Sequence, residues 1–272
     1  MSVLVRNNVR VSGRHAARAV IFAHGFGCDQ NMWRFLVPAF EDGYQVVLFD
    51  YVGHGRSDHS AFDRERYSTL KGYAQDVLAI LGELDLRDVV FVGHSVSAMI
   101  GALGSIEQPD RFGALVMVGP SPCYINDVGY VGGFDRPDIE ALLDFLDSNH
   151  LGWSSQMAPV IMGNSDRPEL AEELTNSFCR TDPEVAKHFA RVTFLSDNRG
   201  DLPNVKTRCL VLQCSEDVIA PEAVGRYVHQ NLPNSEFVLM KAIGHCPNLS
   251  APEETIAAIR TFLAKPVPGR SP

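Results

Sequence analysis

The sequence has little positive charge. Its 272 residues include 24 Lys and Arg against 33 Asp and Glu, which gives a formal net charge of −9. Proteins that bind nucleic acid or acidic membrane surfaces rely on Lys and Arg contacts to phosphate, and this chain has neither a basic excess nor a basic run. We therefore expect no nucleic-acid partner and no membrane partner.

Long apolar runs are also missing. Residues 89–106 lack Asp, Glu, Lys and Arg, but Gly93, Gly101 and Gly104 dilute the segment and its first four residues are typical of a strand. Residues 1–11 contain Arg6 and Arg10 and no apolar core, which argues against a secretory signal. The six cysteines form no CxxC pair, so we expect reduced thiols and a cytoplasmic location.

Short β-rich runs alternate with helical patterns, which is typical of βαβ units around a mostly parallel sheet. The sequence predicts an α/β fold with strands at 19–23, 45–49, 89–92, 114–118, 208–213 and 236–240, and helices at 31–40, 67–84, 96–108, 222–231 and 252–264. The segments 3–5 and 9–12 are interpreted as a small hairpin at the sheet edge, and 265–272 as a loose tail.

One segment breaks this alternation. Residues 135–197 contain no convincing strand but several helix starts with Pro just after a polar residue. We interpret 135–197 as a lid of about four helices inserted in one core domain made of 1–134 and 198–272, because no flexible Gly/Ser linker flanks it.

A strand-to-helix turn with serine at its centre is the strongest local motif. In Gly93-His94-Ser95-Val96-Ser97, small residues two positions before and after Ser95 let a helix cross close to the strand and leave the serine exposed in a strained conformation. This is the pattern of a nucleophile elbow, although Ser97 replaces the usual second glycine. The alternative interpretation is an ordinary turn with an N-cap serine.

A serine nucleophile needs a base, and the base needs a partner that fixes its tautomer. Asp217 follows one predicted late strand and His245 follows the next, so Ser95, Asp217 and His245 would all lie at the carboxyl ends of parallel strands. Glu216 remains a rival for the acid, since the sequence alone does not resolve the position to one residue.

The segment His24-Gly25-Phe26-Gly27 follows an early strand. Its glycines would let the backbone N–H of Phe26 turn towards the nucleophile and, together with the N–H of Val96, stabilise a tetrahedral oxyanion. His24, His54 and His94 are dispersed on separate loops without HExxH or clustered carboxylates, so no metal site is expected. No organic cofactor is expected either.

With these motifs the sequence resembles the α/β-hydrolase family over almost its whole length. More narrowly, it resembles the branch that contains the bacterial stress regulator RsbQ and the karrikin and strigolactone receptors of plants. The blocks that carry this resemblance are residues 24–33, 93–98, 121–124 and 244–247. The serine at position 97, where most hydrolases of this family have glycine, is a further feature in which the sequence resembles the plant receptors.

The resemblance implies a hydrolase fold with a four-helix lid over an apolar pocket. It implies that the pocket is lined by a set of mostly aromatic side chains, namely Phe26, Tyr124, Phe134, Leu142, Trp153 and Phe194. It also implies a role in stress signalling with a serine phosphatase partner, as in RsbQ-like proteins.

Two functions follow as hypotheses. The first is a serine esterase that cleaves a small hydrophobic ester or lactone through an acyl-enzyme on Ser95. The second is a sensor that binds a small hydrophobic molecule and signals through a protein partner, with slow or incidental hydrolysis. A dehalogenase or epoxide hydrolase would need a carboxylate at the position of Ser95, whereas a cofactor-free haloperoxidase or C–C hydrolase would keep the same three residues and stays open.

Overall fold

The computed structural model describes residues 1–266 and contains a seven-stranded sheet. Its spatial order is β1-β3-β2-β4-β5-β6-β7, and only β1 runs antiparallel to its neighbour. The strands are β1 (Arg10–Gly13), β2 (Ala19–Ala23), β3 (Gln45–Leu48), β4 (Val89–His94), β5 (Phe112–Val118), β6 (Cys209–Glu216) and β7 (Ser235–Ile243). The predicted α/β class with a mostly parallel sheet is confirmed. The expected tail lies outside the described residues from position 267 onward.

The central strands are buried on both faces because helices cover the sheet on each side. Every residue of β2 and of β4 is buried, which agrees with their nearly continuous apolar sequences. The helices are α1 (Val3–Arg6), α2 (Leu70–Glu83), α3 (Val96–Glu107), α4 (Arg136–Ser148), α5 (His150–Met162), α6 (Pro168–Arg180), α7 (Pro183–Phe194), α8 (Glu222–Asn231), α9 (Pro247–Ser250) and α10 (Pro252–Ala264). None of these described helices combines the length and the apolar character that a membrane crossing requires.

The N-terminal hairpin prediction is wrong. The segment expected as its first strand is helix α1, which begins at a Ser2 cap whose side chain accepts a hydrogen bond from the N–H of Leu4. Asn8, two residues after this helix, has a positive φ of 46° and redirects the chain. Strand β1 then pairs with β3 rather than with residues 3–5, because β3 offers a complete open edge.

The helix expected at 31–40 is also different. The segment forms two short 3-10 helices, Gln30–Trp33 and Val37–Ala39. Pro38 lacks the N–H that a continuous α-helix would bond to the carbonyl of residue 34, so the helix is interrupted there.

Four helices, α4 to α7, lie between β5 and β6, and we call them the inserted helices. Their starts carry polar caps: Asp135 forms a capping box with Asp138, and the side chain of Asp182 accepts from the N–H groups of Glu184 and Val185. The C-terminal end of α5 contacts the loop after β7, where the N–H of His245 donates to the carbonyl of Ile161 at 2.9 Å. The insertion is therefore tied to the carboxyl edge of the sheet.

Candidate active site

Ser95 lies at the sharp turn between β4 and α3. Its backbone has φ 56° and ψ −124°, a conformation that non-glycine residues rarely adopt. The crossing of strand and helix is close, because a Cβ on Gly93 would lie 2.5 Å from the carbonyl oxygen of Ser97. The N–H of Ser95 donates to the carbonyl of Val118 at 2.8 Å, which holds the turn in place. The geometry is that of a nucleophile elbow.

Ser95, His245 and Asp217 form one hydrogen-bonded chain. The Ser95 hydroxyl donates to Nε2 of His245 at 2.8 Å, and Nδ1–H of His245 donates to Oδ2 of Asp217 at 2.7 Å. All three residues are buried and follow the carboxyl ends of β4, β6 and β7. Gly244 allows this approach, since it has φ 76° and a Cβ there would lie 1.9 Å from the carbonyl of Met162.

The acid in this chain is Asp217 and not Glu216. Oδ1 of Asp217 accepts from the N–H groups of Ile219 and Ala220 at 2.8 and 3.0 Å. Burial alone would raise the pKa of Asp217, but His245 and these N–H groups outweigh it and hold the pKa below its usual value, so the carboxylate stays ionised. Glu216 is the last residue of β6, and it is exposed.

The loop after β2 packs directly against the elbow. A Cβ on Gly25 would lie 2.4 Å from Nδ1 of His94 and 3.4 Å from the Cβ of Ser95, so glycine is required for this approach. Within the part of the chain that the structure describes, the N–H groups of Phe26 and Val96 donate to no other residue. Val96 is the first residue of α3, where a backbone N–H has no partner inside the helix. Both predicted oxyanion donors therefore belong to segments that meet at Ser95, and neither is engaged elsewhere among the described residues.

His24 fixes the backbone of this loop. Its Nδ1–H donates to the carbonyl of Gly25 at 2.9 Å, and its Nε2 accepts from the N–H of Tyr51 at 3.1 Å. Burial lowers the pKa of His24, against smaller effects of Asp50 and of the Gly25 carbonyl, so the ring is neutral in this arrangement.

Ser97 links the same loop to the core. Its hydroxyl donates to the carbonyl of His24, and it accepts from the Tyr51 hydroxyl at 2.8 Å. Ser97 and Tyr51 are fully buried. A glycine at position 97 could not make this connection, which gives a physical reason for the serine in the elbow motif.

His94 supports the position of His245. Its Nε2–H donates to the backbone carbonyl of His245 at 2.7 Å. Burial, followed by the neighbouring His245, lowers the pKa of His94 to about 3, so His94 remains neutral. Within the described residues no group of three or more His, Cys, Asp or Glu is arranged to hold a metal ion.

A narrow apolar pocket lies above Ser95, with a free volume of about 30 Å³. Its walls come from the core and from the inserted helices, and consist of Phe26, Cys28, His94, Ser95, Tyr124, Ile161, Leu174, Phe178, Thr193, Phe194, Ile219, His245 and Cys246. A larger open groove of about 780 Å³ shares Cys28 with this pocket but contains none of the three hydrogen-bonded residues.

The six residues expected around the pocket fall into three groups. Phe26, Tyr124 and Phe194 line it. Trp153 lies one layer behind, with its ring centroid 5.8 Å from that of Phe26. Phe134 and Leu142 are half-buried and pack at the margin of the hydrophobic core on that side of the sheet.

Several lining residues were not anticipated from the sequence. Leu174 and Phe178 lie four residues apart on α6, so the helical periodicity of the insertion could have identified them. Ile219 follows Asp217 by two residues. Thr193 carries no apolar signal and is found only through the packing of α7.

Comparisons with known proteins show which proteins the chain is similar to. Residues 20–258 match the model of the alpha/beta hydrolase family. A karrikin insensitive 2 receptor of Petunia hybrida is 41% identical over 93% of this chain and 94% of its own length. A strigolactone esterase of Arabidopsis thaliana is 37% identical over 97% and 98% of the two chains. The solved structure of a hydrolase from Oleispira antarctica is 44% identical, covers 97% of each chain and superposes with a TM-score of 0.94.

Proposed function

The chain belongs to the alpha/beta hydrolase family, and on that premise we propose that it is a serine hydrolase that cleaves a small hydrophobic ester or lactone through an acyl-enzyme on Ser95. The observation that carries the proposal is the hydrogen-bonded chain from Ser95 through His245 to Asp217 at the base of an apolar pocket.

The proposed mechanism follows from these contacts. Nε2 of His245 takes the hydroxyl proton as Oγ of Ser95 attacks the substrate carbonyl carbon, and Asp217 stabilises the imidazolium that forms. The carbonyl oxygen becomes an oxyanion that the N–H groups of Phe26 and Val96 stabilise. The bond to the leaving oxygen breaks as His245 protonates it. A water, deprotonated by His245, then attacks the acyl carbon; the bond to Oγ of Ser95 breaks as His245 returns the proton to Oγ, and the acid is released.

Hydrolysis of p-nitrophenyl acetate tests the proposal. Ser95→Ala should lower kcat by about 10⁴-fold or more while the fold is retained. Ser105→Ala is a matched control, because Ser105 is a buried serine on α3, the helix that follows Ser95, and among the described residues its hydroxyl donates to the carbonyl of Ala102. Equal activity of Ser95→Ala and wild type would refute the assignment of Ser95 as the nucleophile.

The second candidate function is a receptor for a small hydrophobic molecule, with hydrolysis slow or incidental. It is supported by relatives that are named receptors and by a mostly apolar pocket, which can bind a small hydrophobic molecule whether or not the molecule is turned over. Pre-steady-state kinetics separate the two: many rapid turnovers support the enzyme, while a single burst of p-nitrophenol followed by a stable acylated protein supports the receptor.

The inserted helices are, in this proposal, a lid over a core made of residues 1–134 and 198–272, and they control access without supplying acid or base groups. Resemblance to RsbQ supports a stress-signalling role with a serine phosphatase partner, acting in the cytoplasm, where the six free thiols would stay reduced. If a serine phosphatase co-purifies with the protein only when a ligand fills the pocket, this role is supported. If the amount of co-purified phosphatase does not change with ligand, the role is not supported.

A further inference from the structure

Two hydroxyl groups in the pocket lack hydrogen-bond partners. Tyr124 and Thr193 both line the pocket above Ser95 and are each only 1% exposed, yet neither hydroxyl forms a hydrogen bond of normal geometry with a described residue, although the Ser95 hydroxyl is close enough to Tyr124 to affect its pKa. Buried hydroxyls are nearly always satisfied, because leaving one unpaired costs the free energy of its desolvation. An unpaired hydroxyl in a substrate pocket is therefore a feature that a ligand can satisfy.

Thr193 departs from the behaviour of other helical threonines in this chain. The hydroxyls of Thr175, Thr255 and Thr261 each donate to the carbonyl four residues earlier, at 2.8 to 2.9 Å. This bond is the usual way in which a threonine within a helix satisfies its hydroxyl. Thr193 is in the last turn of α7 and does not form it. Its hydroxyl is thus left for a group other than its own helix.

Tyr124 also lines the pocket and lies in the loop after β5. Its ring packs edge-on against Phe194, the neighbour of Thr193, with 5.0 Å between ring centroids. Burial raises the pKa of Tyr124 to about 12, against a smaller opposing effect of the Ser95 hydroxyl, so the phenol keeps its proton and can donate it in a hydrogen bond close to the nucleophile.

The other unpaired polar atom of the pocket is already covered. Nδ1 of His94 has no hydrogen-bond partner among the described residues, but it faces Gly25, where even a Cβ would lie 2.4 Å away. The remaining walls, apart from Ser95 and His245, are aliphatic, aromatic or thiol side chains. Tyr124 and Thr193 are therefore the two polar groups that can recognise a substrate.

We propose that Thr193, together with Tyr124, selects substrates whose acyl part carries a second oxygen, such as an ether or a carbonyl, that accepts hydrogen bonds from these hydroxyls. This inference rests on the proposed function and specifies its substrate class as oxygenated compact acyl groups rather than plain alkyl ones. A site that binds a substrate oxygen in this way discriminates against the analogue without it, because the hydroxyls would stay buried and unpaired.

Matched pairs of p-nitrophenyl esters test the inference. Methoxyacetate and butyrate differ only by an ether oxygen in place of a methylene, as do 3-methoxypropionate and pentanoate. The variants are Thr193→Val, which keeps the shape of the side chain, and Tyr124→Phe. Thr175→Val is the control. It also removes a threonine hydroxyl from an inserted helix, but this hydroxyl already donates to the carbonyl of Ala171.

In at least one pair, the ratio of kcat/KM for the oxygenated ester to that for the alkyl ester should fall about tenfold in Thr193→Val and in Tyr124→Phe, the scale of one lost hydrogen bond. The ratio should not change in Thr175→Val. The melting temperature of Thr193→Val should equal or exceed that of wild type, because an unpaired buried hydroxyl is removed. A purely structural role would lower the melting temperature and leave the ratio unchanged.

Binding distinguishes this inference from the proposed function. In the Ser95→Ala background, calorimetric Kd values for the same esters report recognition without turnover, and adding Thr193→Val should reduce the preference for the oxygenated ester about tenfold. Ratios within twofold of the parent in both pairs, for both variants, would overturn the inference. Loss of Ser95-dependent hydrolysis with the binding preference intact would overturn only the proposed function.

Discussion

Single hydrogen bonds fix the groups around Ser95, and Ser97 holds the loop after β2 that contains Phe26. Because the Ser97 hydroxyl bonds to the carbonyl of His24 and accepts from Tyr51, we expect Ser97→Ala to loosen the backbone that presents the N–H of Phe26. Its kcat for p-nitrophenyl acetate should fall about tenfold, less than the 10²-fold or greater loss for removal of an oxyanion donor, with little change in KM.

Tyr51→Phe is the conservative comparison for this prediction. It removes the donor to Ser97 but leaves the bond from Ser97 to His24, so its effect on kcat should be smaller. Affinity for a boronic acid that forms a tetrahedral adduct should decrease in parallel with kcat. If Ser97→Ala lowers only the melting temperature and leaves both kcat and boronate affinity unchanged, the positioning role is disproved.

Asp217 and Glu216 are adjacent, but only Asp217 contacts His245. Asp217→Asn keeps the side-chain shape but can favour the wrong imidazole tautomer, and we expect kcat to fall by about 10⁴-fold. Glu216→Gln is the matched amide substitution on an exposed side chain and should change kcat by less than about twofold. Steady-state kinetics on the two variants check this. A larger loss of kcat in Glu216→Gln than in Asp217→Asn would show that Glu216, not Asp217, is the acid that acts with His245.

The positions of Ser95, Asp217 and His245 could be predicted because each follows a strand with a strong apolar pattern. Residues of the pocket wall were harder to predict. Trp153 and Phe134 have the composition of lining residues, but only the packing of α5 and of the loop before α4 decides that they lie outside the cavity wall. The unpaired hydroxyl of Thr193 is a property of its rotamer and neighbours, which a sequence pattern does not encode.

Among the helices and strands, long periodic segments were predicted better than short ones. Helices α8 and α10 have the predicted bounds, because amphipathic spacing and a proline near each start define them. Segments 3–5 and 31–40 were assigned wrongly. A three-residue apolar run such as 3–5 fits strand or helix equally, and the choice depends on the Ser2 cap. In 31–40 the helical pattern is interrupted at Pro38. The position of β1 at the sheet edge is set by its pairing with β3, which is distant in sequence.

Helix α6 of the insertion limits the acyl group that fits above Ser95. Phe178 lines the pocket and is in contact with Phe26 and Trp153, at 5.9 and 5.5 Å between ring centroids. Phe178→Ala should therefore enlarge the pocket and move the optimum of kcat/KM from short towards longer acyl chains. The ratio of kcat/KM for hexanoate to that for acetate should rise about tenfold.

Phe145→Ala is the control for this prediction, because Phe145 is half-buried on α4 and lies outside the pocket wall. A panel of p-nitrophenyl esters from acetate to octanoate measures the preference in both variants. An unchanged preference in Phe178→Ala, or an equal shift in Phe145→Ala, would show that α6 does not set acyl size.

For the molecule as a whole, buried neutral histidines make stability depend on pH. Burial lowers the pKa values of His54 and His94 to about 3, each with a further lowering by a neighbouring histidine. In the unfolded chain histidine titrates near 6.5, so below that pH the unfolded state binds protons that the folded state does not. Stability is therefore full above about pH 6.5 and should fall as the pH drops towards 3, by up to about 1.4 kcal/mol per pH unit for each histidine.

His54→Leu tests the pH dependence, because the ring of His54 is fully buried and packs on Phe189, so that an apolar side chain can take its place. Urea unfolding at pH 7, 6 and 5 should show a shallower loss of unfolding free energy than wild type, by about 1 kcal/mol per unit. His59→Gln, at an exposed position, should leave the slope unchanged. An identical slope in His54→Leu and wild type would contradict the explanation.

The central claim is that Ser95 forms a covalent bond with the substrate. Mass spectrometry of the protein quenched during turnover of p-nitrophenyl acetate, followed by peptide mapping, measures this directly. The predicted result is one acetyl group on the peptide that contains Ser95, absent in Ser95→Ala and strongly reduced in His245→Ala. Two results would contradict the account. One is an acetyl group on a residue other than Ser95, and the other is a Ser95→Ala variant that hydrolyses the ester at the wild-type rate.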